Sequence, residues 1–87
     1  MRIIEIRPSP PGADGRAVAH FDIEISPDVR LFGLRLIEAP SGHHLVYAAN
    51  FQGRPTATFS REFASSLSRA ACAALREGIA RDRNAAA

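Results

Sequence analysis

Apolar and polar residues alternate from residue 16 to residue 25, which predicts a β-strand with one buried and one solvated face. The core positions are expected to be Ala17, Ala19, Phe21, Ile23 and Ile25, and the polar face is expected to carry Val18, His20, Asp22 and Glu24. Residues 2 to 7 predict a shorter strand before it. There, alternation places Ile4 and Ile6 on one face, and Ile3 and Glu5 on the other.

Residues 31 to 50 predict a β-hairpin, because two apolar runs flank the turn-forming segment Ala39-Pro40-Ser41-Gly42. We expect Gly42 to take a positive φ and Pro40 an early turn position. In the first run, alternation places Phe32, Leu34 and Leu36 on one face, and Leu31, Gly33, Arg35 and Ile37 on the other. A tight turn at residues 26 to 28 joins this hairpin to the preceding strand, so the strands form a meander.

Proline and glycine mark the loops of the chain. Residues 8 to 15 contain three prolines and two glycines and are expected to interrupt the sheet. Residues 51 to 55 are interpreted as a second loop, and residues 56 to 59 as a short fifth strand.

From Ser60 the apolar period becomes that of a helix. Ser60 is the expected N-cap, and Glu62 lies in the first turn, where negative charge suits the helix dipole. The core-facing positions are expected to be Phe63, Leu67, Ala70, Ala71, Ala74 and Gly78. We therefore predict an α+β fold, an antiparallel four- to five-stranded β-meander followed by one C-terminal helix, with a single domain over residues 1 to 83 and a frayed tail over residues 84 to 87.

Arginines recur on one side of this helix. Arg61, Arg69 and Arg76, here called the arginine stripe, fall within an arc of about 80°, roughly opposite the core-facing positions. Arg83 joins them if the helix extends that far, and Ser65 and Ser68 lie nearby. A solvated helix face is the ordinary interpretation of such a pattern, and contact with phosphates is the functional one.

Composition adds three expectations. A chain of 87 residues with 46% hydrophobic residues but no Trp has room for one small core. Because such a core stabilises a single chain only marginally, we expect a homodimer formed by strand pairing. The N-terminus lacks the unbroken apolar run of a signal peptide, and a single cysteine agrees with a reducing compartment, so a cytoplasmic location is expected. Positive charge is concentrated late in the chain, with five arginines against six acids up to residue 53 and six arginines against three acids afterwards.

Other chemistry is weakly indicated. His43 and His44 are adjacent, so in a strand they point to opposite faces and cannot bind one metal ion together. Cys72 falls in the arc of the arginine stripe, yet no histidine stands in a recognisable position to act as its base. Tyr47 and Phe51 have two interpretations, stacking on unpaired bases or a role in the core or a dimer interface. We expect no enzyme activity, cofactor, metal, membrane or small-molecule substrate.

Four segments set in a meander before a final helix carry a family resemblance. They are Asp14-Gly15-Arg16, Asp28-Val29-Arg30, Leu36-Ile37-Glu38 and Leu45-Val46-Tyr47-Ala48. In these the chain resembles the stage V sporulation protein G (septation regulator) family, over residues 3 to 75. The resemblance implies a small dimeric regulator that binds DNA and RNA and has no active site. Arg54 and Arg69 lie near positions at which family members are commonly basic.

The expected function is therefore binding of nucleic acid, DNA or RNA, by a small regulatory homodimer. Its phosphate contacts are expected from Arg54, Arg61, Arg69 and Arg76. The alternative is a non-enzymatic protein-interaction or structural module, for example of phage or accessory-genome origin, in which the arginine stripe is only solvated.

Overall fold

A computed structural model describes residues 1–9 and 17–86, and the side chains as far as Gly78. Four antiparallel strands form one sheet in chain order, β1 (Arg2–Pro8), β2 (Ala17–Ser26), β3 (Val29–Glu38) and β4 (His44–Tyr47). A two-stranded ribbon, β5 (Asn50–Phe51) and β6 (Arg54–Pro55), precedes the helix α1 (Arg61–Ala86). The predicted α+β meander with one C-terminal helix is confirmed. Most of the loop predicted for residues 8 to 15 lies outside the described residues.

One face of the sheet packs against α1 and holds the core. The helix lies nearest to β1 and β4, the two edge strands. Leu67 and Ala71 of the helix are fully buried, and Phe63 and Leu75 pack partly against the same cluster. The sheet contributes Ala17, Ala19, Phe21, Ile23, Leu34, Leu36 and Val46 to the buried set, and Ala48, which follows β4, is buried with them.

A β-bulge at Gly33 corrects the predicted faces of β3. Phe21 pairs with Leu34 and Ile23 with Leu31, so β3 has one extra residue between these pairs. Gly33 accommodates it with a φ of +73°. As a result Leu31 packs against the core while Phe32 is exposed, the reverse of strict alternation.

Similar irregularities correct two other assignments. A register shift between Ile3 and Glu5 lets Ile3 and Ile6 pack against the core and leaves Ile4 exposed, although Ile4 and Ile6 were expected to share a face. Another shift, between Glu24 and Ser26, leaves Ile25 outside the core. Asp22, expected on the solvated face, is instead buried.

The β3–β4 turn forms as its residues predict. Gly42 donates its N–H to the carbonyl of Ala39 at 2.9 Å, which places Pro40 at the second position of the turn. Gly42 has a φ of +89°. The Ala39 N–H donates to the His43 carbonyl at 2.8 Å and closes the hairpin. Turn chemistry thus sets where β4 begins.

Residues 50 to 59 differ from the prediction. Residues 51 to 55 are not a simple loop, because Asn50 pairs with Pro55 and Phe51 with Arg54 around Gln52 and Gly53. Both turn residues have positive φ, 53° and 80°, as a two-residue hairpin turn of type I′ requires. The fifth strand expected at residues 56 to 59 is absent from the described structure, and these residues instead lead directly into the helix.

Ser60 caps α1 as predicted. Its hydroxyl accepts a hydrogen bond from the Phe63 N–H at 3.2 Å, and its carbonyl accepts one from Ala64 at 2.9 Å. The rings of Phe59 and Phe63 lie 5.8 Å apart across this first turn. The helix continues to Ala86, and the domain boundary at residue 83 stays a prediction. Among the described residues, no helix combines the length and apolar character needed to cross a membrane.

Candidate nucleic-acid interface

The arginine stripe borders the edge strand β4. Arg61, Arg69 and Arg76 are exposed, but they line the space between α1 and β4 instead of facing directly away from the sheet. The side chain of Arg83 lies outside the described residues. With a rise of 1.5 Å per residue, successive arginines of the stripe are about 11–12 Å apart along the helix axis.

Three arginines of the sheet, Arg2, Arg7 and Arg30, are ion-paired, unlike those of the stripe. Glu24 accepts hydrogen bonds from Arg2 at 3.0 Å and from Arg30 at 3.2 Å, and Glu5 lies 3.7 Å from Arg7. Within the part of the chain that the structure describes, no guanidinium group of the stripe is ion-paired. The positive charge of the stripe is therefore available to an external anion.

The paired carboxylate has a perturbed pKa. The hydrogen bond from Arg2 is the largest effect and lowers the pKa of Glu24. Desolvation opposes it by a smaller amount, and the charges of Arg2 and Arg30 add to the lowering. This ion-pair cluster lies on the sheet between β1, β2 and β3. Its arginines are therefore partly neutralised, whereas those of the stripe have no carboxylate partner among the described residues.

Two adjoining clefts separate α1 from β4 and together form what is called here the arginine cleft. The first has a volume of about 190 Å³ and is lined by Arg61, Tyr47 and Ser65, among others. The second, about 440 Å³, is lined by Arg69, Arg76 and residues of the β3–β4 turn. Both clefts share His44, Ser65 and Ser68. The predicted proximity of the two serines to the stripe is confirmed.

The turn histidines belong to this cleft, which the sequence did not indicate. His43 and His44 line the same cleft as Arg69, Cys72 and Arg76. A helical projection identifies which arginines share a side of α1, but it does not tell which strand end lies beside them. No three histidine, cysteine or acidic residues of the described chain are grouped so that they hold a metal ion. Cys72 is half-buried and packs partly against the core.

A more enclosed apolar pocket opens beside the arginine cleft. It has a volume of about 340 Å³ and shares Val46, Tyr47 and Ala64 with the cleft. Ala57 and Phe59 form part of its apolar lining. The remaining lining residues are Arg35, Ala48, Asn50, Pro55 and Thr58. Tyr47 thus stands at the boundary between a charged surface and an apolar one.

Arg35 is the incompletely satisfied group of this pocket. Its Nε is buried without a hydrogen-bond partner. Its cross-strand partner is Tyr47. A buried donor without an acceptor is energetically unfavourable.

Both aromatic side chains singled out from the sequence are exposed. Tyr47 is 48% and Phe51 is 68% accessible, so the interpretation that they are core residues is wrong. Tyr47 lines the arginine cleft beside Arg61. Phe51 lines a separate shallow surface with Arg54 on the β5–β6 ribbon.

Arg54 does not line the arginine cleft. It is exposed on β6, and its surface connects with the apolar pocket through the shared residue Pro55. The structure therefore brings Arg61, Arg69 and Arg76 together and leaves Arg54 on the neighbouring ribbon.

Comparison with known proteins adds no family assignment. No protein-family model, no curated protein and no solved structure matches the chain. The resemblance to the septation regulator family therefore stays a prediction.

Proposed function

We propose that this protein binds nucleic acid through the phosphate backbone, as a small regulatory homodimer. The observation that carries the proposal is the arginine stripe, three exposed guanidinium groups without ion-pair partners among the described residues, beside an open cleft. Guanidinium groups form bidentate hydrogen bonds with phosphate oxygens. Ser65 and Ser68 supply neutral hydrogen-bonding groups along the same line.

The spacing of the stripe suits a polyanion better than a single small anion. Three charges distributed along the helix at intervals of about 11–12 Å do not converge on one point. A backbone with a phosphate at every nucleotide meets such a line at several places. Binding of this kind depends on charge more than on base identity, so it is expected to be sequence-tolerant. Arg54, on the adjoining ribbon, extends the same contact.

Dimerisation completes the proposal. β1 is the edge strand on the side of the sheet away from β4, and pairing through it leaves the arginine cleft open. Met1 and Ile4 are exposed apolar residues at this edge. Two copies present two arginine stripes, which doubles the charge offered to one polyanion.

A salt-titrated binding assay tests the proposal. Labelled single- and double-stranded DNA and RNA are titrated with wild-type protein and with the triple variant Arg61→Ala, Arg69→Ala, Arg76→Ala. Each lost phosphate contact should reduce the slope of log affinity against log salt by about one unit. The fold should survive because all three side chains are exposed.

A matched control replaces arginines outside the cleft. The variant Arg2→Ala, Arg30→Ala removes two positive charges that lie outside the arginine cleft and are partly offset by Glu24, so affinity and salt slope should stay close to wild type. A wild type that binds none of the four nucleic acids at low salt contradicts the proposal. So does a folded triple variant with unchanged affinity and slope. Either result favours a protein-interaction module instead.

A further inference from the structure

We infer that the apolar pocket beside Tyr47 receives an unpaired nucleobase, which makes the surface selective for single-stranded nucleic acid. This inference rests on the proposed function and specifies the ligand of the same surface. Phosphates lie along the arginine cleft, and one base leaves the strand to stack on Tyr47.

The position of Tyr47 supports this arrangement. It lines both the arginine cleft, together with Arg61, and the apolar pocket. This surface combines a cationic cleft with an apolar pocket, and a nucleotide likewise combines an anionic phosphate with a flat, largely apolar base. A phosphate at Arg61 therefore brings its own base, or an adjacent one, to the tyrosine ring. Stacking on aromatic side chains is the usual way in which unpaired bases are bound.

The pocket has the dimensions and chemistry of a site for one small planar group. Its volume of about 340 Å³ lies near the lower end of the range of about 300–1,000 Å³ for small-molecule sites. Apolar residues form most of the lining, and Asn50 and Thr58 add hydrogen-bonding groups to it. Such a pocket holds a base loosely enough to accept different bases.

The unsatisfied donor of Arg35 favours a ligand with hydrogen-bond acceptors, such as a base, over a purely apolar group. Its buried Nε–H has no hydrogen-bond acceptor among the residues that the structure describes. The carbonyl oxygens and ring nitrogens of nucleobases are acceptors. A base stacked on Tyr47 lies near the strand position that pairs with Arg35, and a small movement of the Arg35 side chain would let the base accept a hydrogen bond from its Nε–H.

A duplex cannot use the pocket without losing a base pair. Its bases are stacked inside the helix, and extrusion of one base costs a few kcal/mol. Duplex nucleic acid is therefore restricted to the phosphate contacts of the arginine stripe. Single strands add the stacking contact at no such cost, which predicts tighter binding of single strands.

Intrinsic fluorescence provides a direct test, because Tyr47 is the only tyrosine and the chain has no Trp. Wild-type protein is titrated with oligothymidylate, with an abasic deoxyribose-phosphate oligomer of equal length, and with inorganic polyphosphate. Oligothymidylate should quench the tyrosine emission in a saturable manner. The two base-free polyanions should bind without comparable quenching. A free tyrosine derivative, titrated in parallel, corrects for light absorbed by the bases.

Substitution of the tyrosine tests the energetic contribution. Tyr47→Ala should weaken oligothymidylate binding by about 5- to 150-fold, the usual range for one stacked base, and leave polyphosphate binding unchanged. Tyr47→Phe keeps the ring and should retain most of the affinity. Phe32→Ala is the matched control, because Phe32 is 65% exposed and contributes to neither the cleft nor the pocket.

The outcomes separate this inference from the proposed function. If all polyanions bind with a steep salt slope but oligothymidylate leaves the emission unchanged, phosphate binding stands and the base pocket is refuted. Equal affinity of Tyr47→Ala and wild type for oligothymidylate refutes it as well. If Tyr47→Ala dissociates a dimer and the wild-type emission does not respond to oligothymidylate, the residue belongs to a protein interface. If nothing binds at low salt, both proposals fail.

Discussion

The carboxylate of Asp22 accepts a hydrogen bond of 2.9 Å from the backbone N–H of Gly33 on the neighbouring strand. Gly33 is the extra residue of the β3 bulge, and its N–H is displaced from the regular ladder of the sheet. Asp22 is only 8% exposed, although it lies on the face away from the helix. The side chain thus replaces the backbone acceptor that the bulge removes.

Asp22→Ala should destabilise the protein by about 1–3 kcal/mol, because it leaves the part-buried N–H of Gly33 without its acceptor. Asp22→Asn keeps an oxygen at the same position and should cost less. Urea unfolding of the three proteins measures the difference. Equal losses for Ala and Asn would show that the hydrogen bond to Gly33 is not the source of the effect.

Gly42→Val should lower the free energy of unfolding by about 1–2 kcal/mol, because a β-branched residue is strained at positive φ. Gly42 has a φ of +89°, and no atom lies near the position of an added Cβ, so the loss is conformational and not a steric clash. Ser41→Val is the control, since Ser41 is exposed in the same turn without a positive φ. Thermal unfolding compares them. Identical melting temperatures would contradict the assigned turn.

Glu24→Gln should reduce the dependence of stability on acid pH. The pKa of Glu24 is lowered in the folded protein, so its ion pairs contribute fully above the ordinary value of 4.5. This contribution is lost as pH falls through the folded-state pKa. Urea unfolding from about pH 7 to about pH 3 should therefore show a less stable variant at neutral pH that approaches wild type in acid.

The matched control for this titration is Glu38→Gln, which removes an exposed carboxylate at the end of β3. It should leave most of the acid dependence in place. If Glu24→Gln has the same stability as wild type at neutral pH and the same acid profile, the ion pairs with Arg2 and Arg30 do not stabilise the fold.

Light scattering at micromolar concentration should return twice the chain mass of 9.4 kDa. Ile4→Arg should shift the protein towards monomer, because it places charge among the exposed apolar residues of the β1 edge. Phe32→Arg, which alters an exposed aromatic residue of β3, should leave the dimer intact. A wild-type monomer would reject dimerisation. A dimer unaffected by Ile4→Arg would move the contact to another surface.

Local sequence signals predicted much of this fold. The turn at Gly42 and the cap at Ser60 depend on a few adjacent residues, and both formed as expected. The faces of the strands were harder, because alternation assumes an unbroken ladder. Each bulge inserts one residue and reverses the faces beyond it, as Leu31 and Phe32 illustrate. A glycine inside an apolar strand, here Gly33, was the available signal of such a bulge.

The candidate site likewise has a part that a local pattern predicted and a part that depends on tertiary packing. Helical periodicity brought Arg61, Arg69 and Arg76 to one side of α1, and the structure places them together along one cleft. The neighbours of the stripe depend on how the helix lies across the sheet. His43, His44 and Tyr47 join it only through tertiary packing, for which no local pattern exists.

The irregular ladder between β2 and β3 also determines how these strands can align. Their pairing is interrupted at three places, between Ala17 and Ala19, between Phe21 and Ile23, and between Glu24 and Ser26. A uniform hairpin can slide by two residues and still keep its apolar face buried. Here such a slide would break the hydrogen bond between Asp22 and Gly33. It would also place a residue other than glycine at the bulge position that requires a positive φ. The bulges therefore restrict β2 and β3 to a single register, because any other register would lose the contacts that each bulge requires.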